Sequence, residues 1–144
     1  MLVLIQMEFV VNAPLSLAWQ HLARVHLWPS WAKHIKSVEL IPPGELTSNS
    51  KGIIRLANGI KSQFQMTEWN PPRNWKWVGP FLWLTVHYDH QFEAMDSAHT
   101  KLTWTVGAEG IGVSILGRLF AVIYNANLSK AIPSLIAEMK QLKS

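Results

Sequence analysis

The order of apolar and polar residues divides the chain into strands followed by a long helical segment. Residues 2–12 alternate between the two kinds, which predicts a first strand. Apolar residues at helical spacing then predict two short helices, one over residues 14–25 and one over residues 28–34. Six further strands follow, and the turn signals Asn58-Gly59 and Asn70-Pro71-Pro72-Arg73 separate two of the pairs. The remaining predicted strands are 37–41, 51–57, 60–69, 75–78, 82–94 and 100–109.

Residues 112–142 form the longest helical pattern in the chain, and one helix of that length would span about 45 Å. Its apolar residues fall into two stripes, which are Ile115, Leu116, Leu119, Phe120 and Ile123, and then Leu128, Ala131, Ile132, Leu135, Ile136 and Met139. The two stripes lie about 140° apart around a helix. Because Pro133 cannot donate to the carbonyl of Ser129, we expect a kinked helix whose halves face different parts of a sheet. The alternative is two shorter helices that break near residues 125–127. Lys140 and Lys143 are expected in the last turn, where cations suit the helix dipole.

The short connections between the strands predict an antiparallel sheet, and one face of that sheet needs a cover. Only the C-terminal helix is long enough to supply it. The predicted fold class is therefore α+β, with seven strands, two short helices after the first strand and a long final helix. The length of 144 residues predicts one domain over residues 1–144.

Composition excludes several classes of function. The thirteen Lys and Arg residues give a net charge of +4 but are scattered, so we expect no nucleic-acid partner. The chain has no run of eighteen apolar residues and is predicted to have no membrane-spanning segment. The absence of Cys excludes disulfides and favours a cytoplasmic location. Eight Trp residues, in contrast, indicate either a thick core or an aromatic-lined cavity.

Three local motifs occur in an order that is typical of one superfamily. Asn12-Ala13-Pro14 leads into a helix that carries Trp19, Trp28-Pro29-Ser30-Trp31 follows, and Glu68-Trp69-Asn70-Pro71-Pro72-Arg73 forms a turn between middle strands. This order and spacing resemble the START-like (SRPBCC) superfamily, in particular its polyketide cyclase/dehydrase and lipid-transport branch. The resemblance covers nearly the whole chain.

The resemblance implies a helix-grip fold, in which a curved antiparallel sheet grips the C-terminal helix and encloses a mainly apolar cavity. Members of the superfamily use this cavity for hydrophobic ligands such as lipids, sterols and polyketides, and a minority are enzymes. No catalytic motif is shared across the superfamily, so no catalytic residue is carried over. We expect no cofactor.

Side-chain alternation in the last two strands identifies two polar rings on the concave face. The predicted pairs are Phe92–Leu102, His90–Trp104, Tyr88–Val106 and, on the outer face, Glu93–Lys101. Tyr88 and His90 are therefore candidates to orient a ligand or to act on it as acid and base. The alternative is that they are a satisfied core histidine and a tyrosine bonded to the backbone.

Arg55 is a third candidate, and its direction depends on the Asn58-Gly59 turn. A two-residue turn pairs Arg55 with Ser62 and points Arg55 inward, where its guanidinium would bind a carboxylate or enolate. The competing register turns Ile54 and Leu56 inward and leaves Arg55 in solvent. Both registers remain open at this point.

Six apolar side chains are predicted to line the cavity with these three, or else to form plain core. They are Phe64, Met66, Trp75, Trp77, Trp104 and Phe120. His87, Asp89 and His99 are not expected to converge, so no metal site is predicted.

The leading functional hypothesis is a carrier or sensor that binds a hydrophobic small molecule between the sheet and the C-terminal helix. The second hypothesis is a polyketide cyclase, aromatase or dehydratase that uses Arg55, Tyr88 and His90. The third is a protein-interaction module with a filled core. A dimer is left open by the sequence.

Overall fold

A computed structural model describes residues 1–142, so Lys143 and its predicted place in the last helical turn lie outside the described residues. The sheet has seven strands, and the connection between the first two contains a helix α1 and a 3-10 helix. The elements are β1 (Leu2–Val11), α1 (Leu15–Ala23), the 3-10 helix (Val25–Ser30), β2 (Ile35–Ile41), β3 (Lys51–Leu56), β4 (Lys61–Asn70), β5 (Asn74–Phe81), β6 (Leu84–Ala94), β7 (Thr100–Glu109) and α2 (Val113–Met139).

All neighbouring strands are antiparallel, in the order β1-β7-β6-β5-β4-β3-β2. The predicted seven-stranded antiparallel sheet and long C-terminal helix are confirmed. Strands β1 and β2 form the two edges of the sheet. The chain therefore crosses from one edge to the other through α1 and the 3-10 helix, which brings their tryptophans onto the concave face.

The predicted register of β6 and β7 is also confirmed. His90 lies opposite Trp104 and Tyr88 lies opposite Val106. On the outer face, Nζ of Lys101 lies 3.3 Å from a carboxylate oxygen of Glu93. The alternation of apolar side chains in two long strands was sufficient to fix this pairing.

The two-residue turn predicted between β3 and β4 is wrong. The backbone N–H of Leu56 donates to the carbonyl of Ile60, so the loop holds three residues and Arg55 pairs with Lys61. Gly59 adopts a φ of +93°, which suits a three-residue loop with a residue in the left-handed region. One extra loop residue shifts the register by one and reverses which face each side chain of β3 occupies.

Helix α2 is one helix through Pro133, and the predicted arrangement of its two halves is wrong. Its buried residues are Gly117, Phe120, Leu128, Ala131, Leu135 and Met139, which follow a single stripe. The first predicted stripe is mostly in solvent, since Ile115, Leu119 and Ile123 are all exposed. Gly117 lets α2 approach β1 closely, because a Cβ there would lie 3.1 Å from the Leu4 side chain.

By length and composition, α2 is also long and apolar enough to cross a membrane. This differs from the prediction, which rested on the absence of an unbroken run of eighteen apolar residues. In the most apolar window of eighteen residues in α2, 22% of the residues are buried. The stripe that begins at Gly117 packs on the sheet side of the fold.

Polar contacts join the end of α2 to the first crossover. The Nε2 atom of His21 donates to Oε1 of Glu138 at 2.7 Å, and Oγ of Ser30 lies 2.8 Å from Oε2 of the same carboxylate. Glu138 therefore connects α2 to α1 and to the 3-10 helix. These contacts fix the crossover against the concave face of the sheet.

Candidate functional site

A row of three aromatic side chains crosses the middle of the concave face. Register places Trp75 of β5 opposite His90 of β6, and His90 opposite Trp104 of β7. The imidazole stacks on Trp75 with a centroid distance of 4.8 Å and an interplanar angle of 24°. Its centroid lies 6.2 Å from that of Trp104, which approaches it edge-on. We call these three residues the aromatic row.

The 3-10 helix and the residue that follows it cover the aromatic row with two further indoles. The ring of Trp28 lies 5.9 Å from His90 and 5.4 Å from Trp77, and the ring of Trp31 lies 5.8 Å from Trp104. The indole N–H of Trp28 donates to the carbonyl of Leu22, which fixes its orientation. Tryptophan side chains therefore occupy much of the concave face.

Burial keeps His90 uncharged. Desolvation lowers the pKa of its imidazole to about 4, although a 3.4 Å contact between Nδ1 and the carbonyl of Trp75 opposes the shift. Because Nδ1 donates to that carbonyl, Nε2 of the neutral ring is the acceptor. The indole nitrogens of Trp75 and Trp104 are buried and have no hydrogen-bond partner within residues 1–142. The aromatic row thus lies in an apolar environment and contains two indole N–H donors without a partner in the described residues.

Phe64, Met66 and Trp77 are buried in the same core cluster as the aromatic row. The phenyl ring of Phe64 lies 4.3 Å from the indole of Trp77. The structure therefore brings together six of the nine candidate residues, which are Phe64, Met66, Trp75, Trp77, His90 and Trp104.

Tyr88 and Phe120 pack in a neighbouring cluster that contains Tyr124. The rings of Phe120 and Tyr124 stack at 5.3 Å, and Tyr88 lies 5.8 Å from Tyr124. Burial raises the pKa of both phenols, and ionisation of Tyr88 would be opposed further by the nearby phenolate of Tyr124 wherever that group is ionised. Both tyrosines are therefore neutral and weakly acidic across the physiological pH range.

Arg55 lies on the opposite face of the sheet from His90, so its predicted inward orientation is wrong. Its Nη2 atom lies 3.1 Å from Oε2 of Glu39, and the Arg55 side chain is half-buried while that of Glu39 is exposed. The three-residue loop after β3 is the cause, because it turns Ile54 and Leu56 toward the core. The alternative register of the sequence analysis is the correct one.

The candidate metal ligands are spread over separate contacts. Nε2 of His87 lies 3.2 Å from Oε1 of Glu109, and Nδ1 of His99 lies 2.8 Å from Oδ1 of Asp96. Within residues 1–142, no three His, Asp or Glu side chains lie close enough to hold a metal ion together.

A cleft of about 760 Å³ lies beside the aromatic core, between the crossover and the β2 edge of the sheet. Its apolar wall consists of Trp19, Val25, Val38, Leu40, Leu46 and Trp69. The polar residues on its solvent side include Gln20, Arg24, His26 and Glu45. None of its lining residues belongs to α2, so the cleft is not in the position that the sequence analysis gave to the cavity.

Two tryptophans separate the cleft from the aromatic row. The ring of Trp19 lies 5.4 Å from that of Trp69 and 5.1 Å from that of Trp75. A ligand in the cleft would therefore contact the indoles of Trp19 and Trp69, and the ring of Trp19 would separate it from Trp75. The sequence pattern does not reveal this site, because it places Trp19 in a helix and Pro42-Pro43-Gly44 in a connection but does not give the distance between them.

The sheet, the long final helix and the aromatic core define the class of protein, which is an α+β helix-grip domain. The chain belongs to the family described as polyketide cyclase / dehydrase and lipid transport, which matches residues 3–141. No curated protein sequence matches the chain.

Solved structures share the fold at low sequence identity. A hypothetical protein from Helicobacter pylori superposes with a TM-score of 0.76 at 14% identity, over 93% of this chain and 86% of the other. A conserved protein from Geobacillus kaustophilus gives 0.70 at 18% identity, over 93% of both chains. The Zhui aromatase/cyclase from a Streptomyces species gives 0.69 at 15% identity, over 95% and 93%.

Proposed function

We propose that this protein binds a hydrophobic, ring-containing small molecule in the cleft beside Trp19 and Trp69. The observation that carries the proposal is the cleft itself, whose volume of about 760 Å³ lies within the usual range of small-molecule sites. Its inner wall is apolar and aromatic, and its polar groups lie on the solvent side. Family membership supports the same class of ligand.

Enzymatic activity of the cyclase or dehydratase type is the second candidate, and the similarity to an aromatase/cyclase favours it. The chemistry of the buried groups favours binding instead. An imidazole with a pKa of about 4 is a weak base at neutral pH, and a buried phenol with a raised pKa is a weak acid. Arg55, which would have held an anion beside them, faces solvent.

Binding of a neutral aromatic probe, 1-aminoanthracene, tests the proposal by fluorescence titration. We expect Trp69→Ala to weaken the affinity about tenfold, because an aromatic wall contributes on the order of 1.4 kcal/mol to binding. Trp69 is only half-buried, so the substitution is expected to leave the fold intact.

Two control variants identify the site. Trp83→Ala removes an exposed indole that does not line the cleft, and Arg55→Ala removes a guanidinium that does not line it either. Both are expected to bind the probe like the wild type. A loss of affinity in Trp83→Ala or Arg55→Ala without a loss in Trp69→Ala would place the site elsewhere and refute the proposal.

A further inference from the structure

The first half of α2 and the turn before β6 expose an unusually large apolar surface. We call it the α2 face, and its members are Leu82, Trp83, Ile111, Ile115, Leu119, Val122 and Ile123. Their exposed fractions run from 52% for Ile123 to 87% for Ile111. Together they expose on the order of 900 Å², whereas the largest apolar patch of a soluble monomer is about 300–600 Å².

The α2 face is continuous. The indole N–H of Trp83 donates to the carbonyl of Ile111 at 2.8 Å, which holds the turn against the start of α2. Leu82 has a φ of +54°, a conformation that L residues with large side chains rarely adopt. The turn therefore holds two apolar side chains in solvent next to the helix, at a cost in backbone strain.

The spacing along α2 matches that of a helix packed against a second helix. Ile115, Leu119, Val122 and Ala126 are all exposed and are separated by 4, 3 and 4 residues. This is the spacing of a seam between two helices that cross at a small angle. The seam ends where Ser129 and Lys130 make the outer surface of the helix polar.

The charge of the α2 face favours a protein partner over a lipid surface. Arg118 is the only charged side chain between Gly110 and Ser129. Helices that bind anionic membranes usually carry a cluster of Lys and Arg beside the apolar face. A nearly uncharged seam, in contrast, is complementary to a second copy of itself.

We propose that two copies of this chain associate through the α2 face, with the α2 helices packed against each other. The exposed area of these residues on each copy, about 900 Å², is close to the roughly 800 Å² per partner that a stable interface buries. The proposal is independent of the proposed ligand, because the α2 face shares no residue with the lining of the cleft.

Sedimentation velocity over about 1–100 μM protein tests the proposal. The wild type is expected to sediment as a dimer over most of this range, as interfaces of this size commonly allow. Val122→Glu is expected to raise the dissociation constant at least a hundredfold, because the two-fold axis places two carboxylates in the seam.

Ser134→Glu is the matched control, since Ser134 is exposed in the second half of the same helix and does not belong to the α2 face. It is expected to leave the dimer unchanged. Circular dichroism of each variant shows whether the fold is retained, and Ile115→Glu repeats the test at a second seam position if Val122→Glu unfolds.

A wild type that remains monomeric at 100 μM would overturn the proposal. So would a dimer that both seam variants leave intact. Flotation of a monomeric wild type with phosphatidylcholine vesicles, lost in Val122→Glu, would identify the α2 face as a membrane surface instead.

Discussion

The imidazole of His90 is uncharged because four indoles surround it. The ring centroids of Trp28, Trp75, Trp77 and Trp104 lie between 4.8 and 6.2 Å from its own. Such a surround offers little solvation to a cation, so the folded protein resists protonation of this ring. The unfolded chain has no such restriction, and its histidine titrates near pH 6.5.

Stability is therefore expected to fall in acid through His90. The folded pKa of about 4 lies below the unfolded value, so the unfolded state binds more protons between those two pH values. The contribution of His90 to the free energy of unfolding is fully present above about pH 6.5. It is lost as the pH falls, and the loss at pH 4 is on the order of 3 kcal/mol. Urea unfolding at pH 7 and pH 4 measures this loss.

His90→Phe provides the comparison, because it keeps an aromatic ring in the stack but cannot titrate. The variant is expected to lose about 3 kcal/mol less than the wild type between the two pH values. Other histidines, such as His34 with its own lowered pKa, contribute equally to both proteins. Equal losses in the two proteins would show that His90 is accessible to protons in the folded state.

Alternation alone predicted which way the side chains of β6 point, and it placed His90 correctly. It did not decide the direction of Arg55, because both faces of β3 carry apolar residues and the loop length was ambiguous. A difference of one residue in a loop is a small change in sequence, but it reverses a whole strand.

At the scale of elements, α2 shows the limit of periodicity as a guide to burial. Its length and continuity follow from the sequence, and the second apolar stripe is the buried one. An apolar stripe on a helix usually faces the core, so the pattern also predicts burial for the first stripe. The sheet covers only one side of α2, so the surplus apolar residues face solvent.

Glu138 is expected to be the main polar link between α2 and the crossover. It accepts hydrogen bonds from His21 and Ser30, and Glu138→Ala leaves both donors without this partner. We expect the free energy of unfolding to fall by about 1–3 kcal/mol in urea titrations.

Glu93→Ala is the control, because Glu93 pairs with Lys101 on the exposed face of the sheet. This substitution is expected to lower the free energy of unfolding by less than about 1 kcal/mol. Equal effects in the two variants would argue against a specific link.

At the scale of the whole molecule, the fold class and the succession of β2 to β7 were predictable, because short connections and turn signals leave few topologies open. The pairing of β1 with β7 was not predicted. The position of the cleft was not predictable either. It depends on how α1, the 3-10 helix and the β2–β3 loop approach one another, and local sequence patterns carry little information about such distances. Trp75, Trp77 and Trp104, for which cavity lining and plain core packing were both open, pack against other aromatic rings.

The proposed function therefore depends on whether the cleft beside Trp19 binds a small molecule. Native mass spectrometry of protein purified without detergent tests this most directly. We predict a copurifying hydrophobic molecule, or uptake of one equivalent of 1-aminoanthracene per chain, with occupancy reduced in Trp69→Ala. Unliganded protein at every probe concentration, or equal occupancy in Trp69→Ala, would contradict the account.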